Sequence, residues 1–412
     1  MSITIDNIQR SSSNSVTFDI HGTPENGFDK SQVNAIRRTL LSSIPSVGFS
    51  LEGDKTNLTM IRNDSSLHNE FILNRIALVP LYINPETYQK QYLFYLNVQS
   101  TDKESVTTIT MNDFSIYPIK DGVNVEELNP IPSKDNYQMN NPLSQEEKDK
   151  ILRPFIINDT KNYCILTELK KSSDKNSLHI EAYGVPDIGH AYENSRWCAV
   201  SQASYMFKKD EEQFKKVLQD KIAVKGIQNE SKDVKKRFAE ELFIKESERY
   251  FLRDNFAEPY HYEMTIQSTH YMSSEELFVK ANDIIRDQIN DFKKTIPSLF
   301  SGNETMSIQK TKENVYVITC HGYDHTVSNL LQSYISRYMI DNDSEFAVCG
   351  YKKVHPLQDI IEFTLSFNTS NKIFSASEAQ KNNAIIKLFD ESCSSLLLTF
   401  TSIIDKASST LL

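Results

Sequence analysis

Two long helical stripes limit most how this chain can fold. From about Glu378 to Ala407, the residues Ile386, Phe389, Cys393, Leu396, Phe400 and Ile403 recur in steps of three and four, a seam of the coiled-coil kind. From about Ser273 to Ile296, behind a capping-box pattern Ser273-x-x-Glu276, a second stripe runs through Phe278, Ala281, Ile285, Ile289, Phe292 and Ile296. A helix with one apolar face must bury it against something. These two stripes are each other's natural partners.

What precedes each stripe is also alike. Val33, Ile36, Leu40 and Leu41 recur as Val327, Leu330, Tyr334 and Ile335 at a constant offset of 294 residues. An extended apolar segment follows each set, Val47-Gly48-Phe49 and then Phe346 to Tyr351. The chain therefore reads as a weak internal duplication. Two copies of one unit, each ending in a long helix, can pair as a pseudo-twofold dimer within one chain.

Local signals fill in the rest. Val16-Thr17-Phe18-Asp19-Ile20 alternates as a half-buried strand. Asp29 with Gln32 can cap a helix whose buried face is Val33, Ile36, Leu40 and Ile44, and Pro45 ends it. Ser66 can cap a second helix carrying Phe71 and Ile76, closed by Pro80. Strands are expected over Tyr92 to Val98, Ser105 to Thr110, Tyr163 to Leu169 and Leu178 to Tyr183, around a Pro- and Asn-rich surface loop from Asp121 to Pro142. Lys208 to Arg253, dense in charge of both signs, reads as solvent-facing helices. The expected fold is α+β. Its first dimerisation unit takes residues 1–82 and 258–300, interrupted by a mixed α+β inserted domain over 83–257; a linker over 301–311 leads to a second unit over 312–412.

Composition excludes several classes. The 412 residues are 39% hydrophobic and 24% charged, within the globular range. The formal charge is −10 with no basic block, so a long nucleic-acid track, which needs Lys and Arg against phosphate, is not expected. Only 11 glycines are present, a handicap for any backbone that must wrap phosphates. Five scattered cysteines, none in C-x-x-C spacing, indicate buried free thiols in a reducing compartment. The start Met1-Ser2-Ile3-Thr4 lacks a signal-peptide pattern, and no apolar stretch nears the ~20 residues of a membrane helix. A soluble intracellular protein is expected.

Candidate chemistry is sparse. Gly22/Gly27, Gly48/Gly53 and Gly184/Gly189 have G-x4-G spacing, but none is followed directly by the Lys-Ser or Lys-Thr of a phosphate loop. Gly53-Asp54-Lys55-Thr56 comes nearest, and Asp54 would set a carboxylate where phosphate must sit. His321 and His325 are four apart, yet Gly322 and the helix-start signals at Asp324 and Thr326 put them in a loop without a third ligand. Asp341-Asn342-Asp343 begins like a calcium loop, with Phe346 where glycine is required. No catalytic, cofactor or metal residue is assigned. The adjacent Arg37 and Arg38 flank the apolar face of their helix; they suit either snorkelling surface residues or bidentate anchors for a partner chain. Glu70 and Arg75 are open in the same way between an internal ion pair and a contact.

Several segments, taken in order, resemble one family. Val33 to Pro45, Val-Asn-Ala-Ile-Arg-Arg-Thr-Leu-Leu-Ser-Ser-Ile-Pro, resembles the first helix of the alpha-type assembly subunits of multisubunit DNA-directed RNA polymerases. Asn69 to Leu81 is similar to the second-helix motif of the third-largest subunit of eukaryote-type enzymes, and Arg196-Trp197 resembles the Lys-Trp of its inserted domain, with Asn194 where histidine is usual. Asp324 to Leu331 and Gly350 to Leu357 are similar to signatures of the eleventh subunit, with Ser328 in place of a usual glycine. In cellular enzymes these are separate chains, and the fusion resembles the arrangement in large DNA viruses.

The resemblance implies a non-catalytic scaffold for DNA-templated transcription, one part of a nucleotidyltransferase complex, binding the largest and second-largest polymerase subunits, with small zinc-binding subunits nearby. It implies no sequence-specific DNA contact, no membrane and no cofactor. The family's cysteine-rich metal loop has no counterpart here, so no metal is expected. The polymerase-facing surface of the family includes the first helix, which makes Arg37, Arg38 and Leu41 the expected partner contacts, followed by Glu70 and Arg75. Phe278, Ile285, Ile289, Phe292, Phe389, Cys393, Leu396 and Phe400 are expected to pair the two halves internally. Host cytoplasm and virion are the implied locations for a viral protein, the nucleus otherwise. The rival readings are a stand-alone nucleotide-dependent enzyme with an unrecognised site and a self-pairing adaptor.

Overall fold

A computed structural model describes residues 3–12, 14–25, 28–53, 56–100, 105–132, 138–170, 177–300, 305–341 and 343–412. Gly27, Asp54, Lys55, Asn342, the first four residues of the expected linker and part of the loop over 121–142 lie outside the described residues.

The chain opens with β1 (Thr4–Ser12), β2 (Ser15–His21) and α1 (Lys30–Ser42). Next come β3 (Pro45–Gly48), β4 (Leu58–Asn63), α2 (Asn69–Ala77), β5 (Tyr92–Gln99), β6 (Val106–Thr110) and β7 (Phe114–Pro118). They are followed by α3 (Gln145–Leu152), β8 (Phe155–Ile157), β9 (Thr160–Asn162), β10 (Ile165–Lys170), β11 (His179–Gly184), β12 (Asp187–His190) and β13 (Val200–Phe207). Two charged helices, α4 (Glu211–Val224) and α5 (Lys232–Glu246), lead to β14 (His261–Ser268) and the long α6 (Ser274–Thr295). The last part holds β15 (Met306–Lys312), β16 (Val315–His321), α7 (His325–Tyr334), β17 (Phe346–Lys353), β18 (Ile360–Phe367) and α8 (Glu378–Thr410). This is a mixed α+β architecture with several antiparallel sheets.

Contacts group the chain into two compact units: Met1–Leu40 with Gln202–Gln267 and Ser274–Leu412, and Leu41–Ser201 with Ser268–Ser273. The first unit contains two four-stranded sheets, ordered β1-β2-β14-β13 and β15-β16-β18-β17. Both have the order first, second, fourth, third. In both, a helix follows the second strand and a long helix follows the fourth. Strand β13 lies inside the stretch expected to be an inserted domain, yet it is an edge strand of the first sheet. Its membership depends on pairing with β14, a partner no local pattern identifies.

Alternation in each sheet decides which face is covered. Val16, Phe18 and Ile20 of β2 are fully buried, and Phe18 meets Phe278 of α6 edge-on at 5.0 Å. On β18, Ile361, Phe363, Leu365 and Phe367 point inward in the same way. The second unit is built on the sheet β4-β11-β5-β7, whose core includes Phe49, Phe94, Leu96, Phe114 and Ile180. There Trp197 closes against two glycines: a Cβ on Gly189 would lie 2.4 Å from its ring and one on Gly48 3.1 Å.

Two local expectations need correction in α2. Its N-cap is His68 rather than Ser66. Phe71 is 66% exposed, while Ile72 and Ile76 are buried. At 3.6 residues per turn, positions five apart stand roughly 140° apart, so Phe71 and Ile76 cannot share a face, whereas Ile72 and Ile76 can. Similarly, Ile385 is buried in α8 and Ile386 only half-buried.

Candidate partner interface

The first helix is held by its own cap. Asp29 Oδ1 accepts from the backbone N–H groups of Ser31 at 2.6 Å and Gln32 at 3.2 Å, and Gln32 Oε1 accepts from the Asp29 N–H at 3.2 Å. That reciprocal box satisfies donors that a helix start leaves orphaned. Val33, Ile36 and Leu40 then face inward at zero exposure. Arg37, Arg38 and Leu41 are left half-buried at the border.

The two arginines do different things. Arg37 donates from Nε and Nη2 to Asn34 Oδ1, both at 3.0 Å, and lines an open groove of about 540 Å³ with Tyr205, Met206, Phe207 and Glu248. Arg38 instead reaches the start of α7. Its Nη2 lies 3.0 Å from Asp324 Oδ2 and its Nε 3.2 Å from Thr326 Oγ1. Asp324 is the N-cap of α7, accepting from the Thr326 N–H at 2.8 Å.

A converse contact comes from the other direction. Arg337, in a π-helical turn that continues α7, lies 3.7 Å from Asp29 Oδ2 and also pairs with Asp254. Ser333 Oγ donates to Asp29 Oδ2 at 2.7 Å. The arginine and both carboxylates are nearly buried, and the Phe256 ring lies 4.9 Å from the guanidinium. Each helix thus places an arginine on the capping carboxylate of the other. Neither arginine–carboxylate pair is visible in the sequence, because 286 residues separate Arg38 from Asp324.

The long helices meet as well. Phe278, Ile285, Ile289 and Phe292 of α6 and Phe389, Cys393, Leu396 and Phe400 of α8 are buried to 2% exposure or less. Phe292 stacks at a tilt on Phe389 at 6.0 Å and lies 6.2 Å from Phe363 of β18, while Lys293 donates to Ser394 Oγ at 2.7 Å. Burying one such side chain contributes roughly 1.5–3 kcal/mol, so the seam outweighs the polar contacts at its rim.

Glu70 and Arg75 are exposed on α2 in the second unit. Arg75 does not reach Glu70 and donates to the Leu166 carbonyl at 2.9 Å. His321 ends β16 and His325 begins α7, where its ring lies 3.3 Å from the Tyr351 hydroxyl. Burial pushes the thiols of Cys320, Cys349 and Cys393 up to about 12, so they are packing groups rather than nucleophiles. No described helix is long and apolar enough to cross a membrane.

A strand pair, a capped helix and a long following helix whose apolar face is used for pairing define a dimerisation fold. The chain belongs to the RNA polymerase Rpb3/Rpb11 dimerisation-domain family, whose sequence profile matches residues 24–289, well over half of its length. It is therefore an alpha-like subunit of RNA polymerase, a component of the transcription machinery that associates with other polymerase subunits. No individual curated protein matches the chain.

Proposed function

We propose that this chain is a fused pair of third-largest-like and eleventh-like assembly subunits, as found in large DNA viruses, and a non-catalytic scaffold for the two largest polymerase subunits. The observation that carries this reading is the repeated topology. The family profile covers residues 24–289, and the chain from β15 to α8 repeats the strand order, helix placement and long terminal helix of the first sheet, β1-β2-β14-β13, with α1 and α6. In terms of descent, residues 1–82 and 258–300 are the first dimerisation unit, with β13 returned to it from the inserted stretch. Residues 312–412 are the second, and 301–311 join them. The tether gives the second half an effective concentration on the order of millimolar, so pairing does not depend on matched expression of two chains.

Arg37 and Leu41 are the foremost contacts for the large subunits, because Arg37 faces an open groove while Arg38 is engaged within the chain. Glu70 and Arg75, exposed on α2 of the second unit, are further contacts. Small zinc-binding subunits complete the assembly, and base recognition lies with other subunits. A viral version works in the cytoplasmic factory and is packaged in the virion. The test is affinity purification of the tagged full chain from cells that carry its natural partners. Two very large subunits are expected in stoichiometric yield, and Arg37→Glu should lower their recovery without changing the circular dichroism of the chain. Purification of the chain alone under those conditions would overturn the proposal.

A further inference from the structure

We propose that Asp6, His21 and His261 form a binding site for one divalent transition-metal ion of the zinc class, clipping β1, β2 and β14 together on the outer face of the first sheet. The residues come together through strand register. His261 stands directly across from His21, and Asp6 from Asp19, on adjacent strands. Beyond Asp6, strand β1 slips register, and Asn7 sits in the left-handed region at φ 51°. One ring nitrogen from each histidine and a carboxylate oxygen of Asp6 lie within 4.8 Å of one another.

Three features suit a metal. The first is ligand state. His21 Nδ1 lies 3.0 Å from the Gly22 carbonyl, which can only accept, and Nε2 points at Asp6 Oδ2 at 3.5 Å; with the proton on Nδ1, a metal between Nε2 and that carboxylate would take the place of a second ring proton. Metal-binding histidines are usually held this way, by a hydrogen bond from the other nitrogen. The second is unmet bonding. Asp6 Oδ1 and His261 Nε2 are both buried without a hydrogen bond, although His261 Nε2 is 3.2 Å from Asp19 Oδ2. A buried polar atom left unbonded is costly, and two in one cluster of ligand-type residues point to a missing partner.

The third feature is charge. Asp6, Asp19 and Glu263 supply three carboxylates, and Lys208 supplies one ammonium, bound to Asp19 at 2.7 Å and 3.8 Å from Glu263. With neutral imidazoles the surplus is two negative charges, which a divalent ion balances. The two rings already stack at 4.3 Å, and the Asp6 side chain is 47% exposed, so the site opens to solvent on one side. Zinc takes such N and O ligands at about 2.0–2.2 Å, so the side chains need to close inward by roughly 1 Å, with water completing the coordination.

The test uses the full chain stripped with chelator and titrated with Zn²⁺ in a calorimeter and with Co²⁺ in a spectrophotometer. One equivalent of each metal should bind, Co²⁺ should give the visible absorption of a low-coordinate nitrogen–oxygen site, and Zn²⁺ should raise the melting temperature. Asp6→Asn, His21→Ala and His261→Ala should each weaken Zn²⁺ binding at least tenfold, while His321→Ala and His325→Ala leave it unchanged. Absence of saturable binding, or binding that survives His21→Ala, would overturn the proposal. If His261→Ala fails to fold, Asp6→Asn decides by the same criterion, since its side chain stands at the solvent edge.

Discussion

Arg38 and Asp324 meet at 3.0 Å, and the same carboxylate caps α7; Arg337 and Asp29 make the converse contact at the cap of α1. The two pairs differ in burial. Arg38 and Asp324 keep 36% and 42% of their side chains exposed, against 11% and 4% for Arg337 and Asp29. Arg38→Ala should therefore cost about 1 kcal/mol or less, as solvent-exposed pairs do. Arg337→Ala leaves Asp29 and Asp254 buried without their cation and should cost about 3–5 kcal/mol. Chemical denaturation followed by circular dichroism checks that order.

The seam between α6 and α8 gives a second contrast. Leu396 is 1% exposed and Leu398, two residues on, is 73% exposed. Leu396→Ala should destabilise by about 2–5 kcal/mol through lost burial and a cavity, and Leu398→Ala by no more than about 0.5 kcal/mol. Thermal melting of both variants distinguishes them.

Trp197, the one tryptophan in the sequence, reports on the second unit. In Gly189→Ala the new Cβ would sit 2.4 Å from its ring, so the indole must shift, at a cost of about 1–3 kcal/mol and with a change in emission maximum. Gly350→Ala meets nothing within 4 Å and should leave both stability and emission as they are.

Thiol labelling tests the burial pattern directly. Cys164 and Cys198 are half-buried, whereas Cys320, Cys349 and Cys393 are buried with thiols raised to about 12. Brief treatment of the native chain with a maleimide should modify only Cys164 and Cys198, as read by peptide mass analysis. The other three should react after denaturation.

Local periodicity made much of this fold legible. The stripes of α6 and α8, the Asp29–Gln32 cap and the alternation of β2 each depend on neighbours within a few residues. At α2 an apolar residue alone is not enough: Phe71 and Ile76 are five positions apart and fall on different faces, so Phe71 is exposed while Ile72 and Ile76 are buried. Other features depend on contacts distant in sequence. Strand β13 joins the first sheet only through β14, and Arg38 meets Asp324 only once both helices are packed. His21 and His261 stand side by side although they are 240 positions apart in the sequence, so no local spacing of the kind seen at His321 and His325 marks them. Arg37 and Arg38 were indistinguishable as neighbours in sequence; the fold turns one toward a groove and the other toward a cap.

We propose that one polypeptide supplies both halves of an alpha-like pair, so that its long helices satisfy each other within the chain. Native mass measurement of the purified full chain, free of other subunits, tests this most directly. A single species at the monomer mass of 47.3 kDa across the accessible concentration range is the predicted result. A stable species of twice that mass, dispersed by Leu396→Asp, would mean that the helical seam is made between chains and would contradict the account.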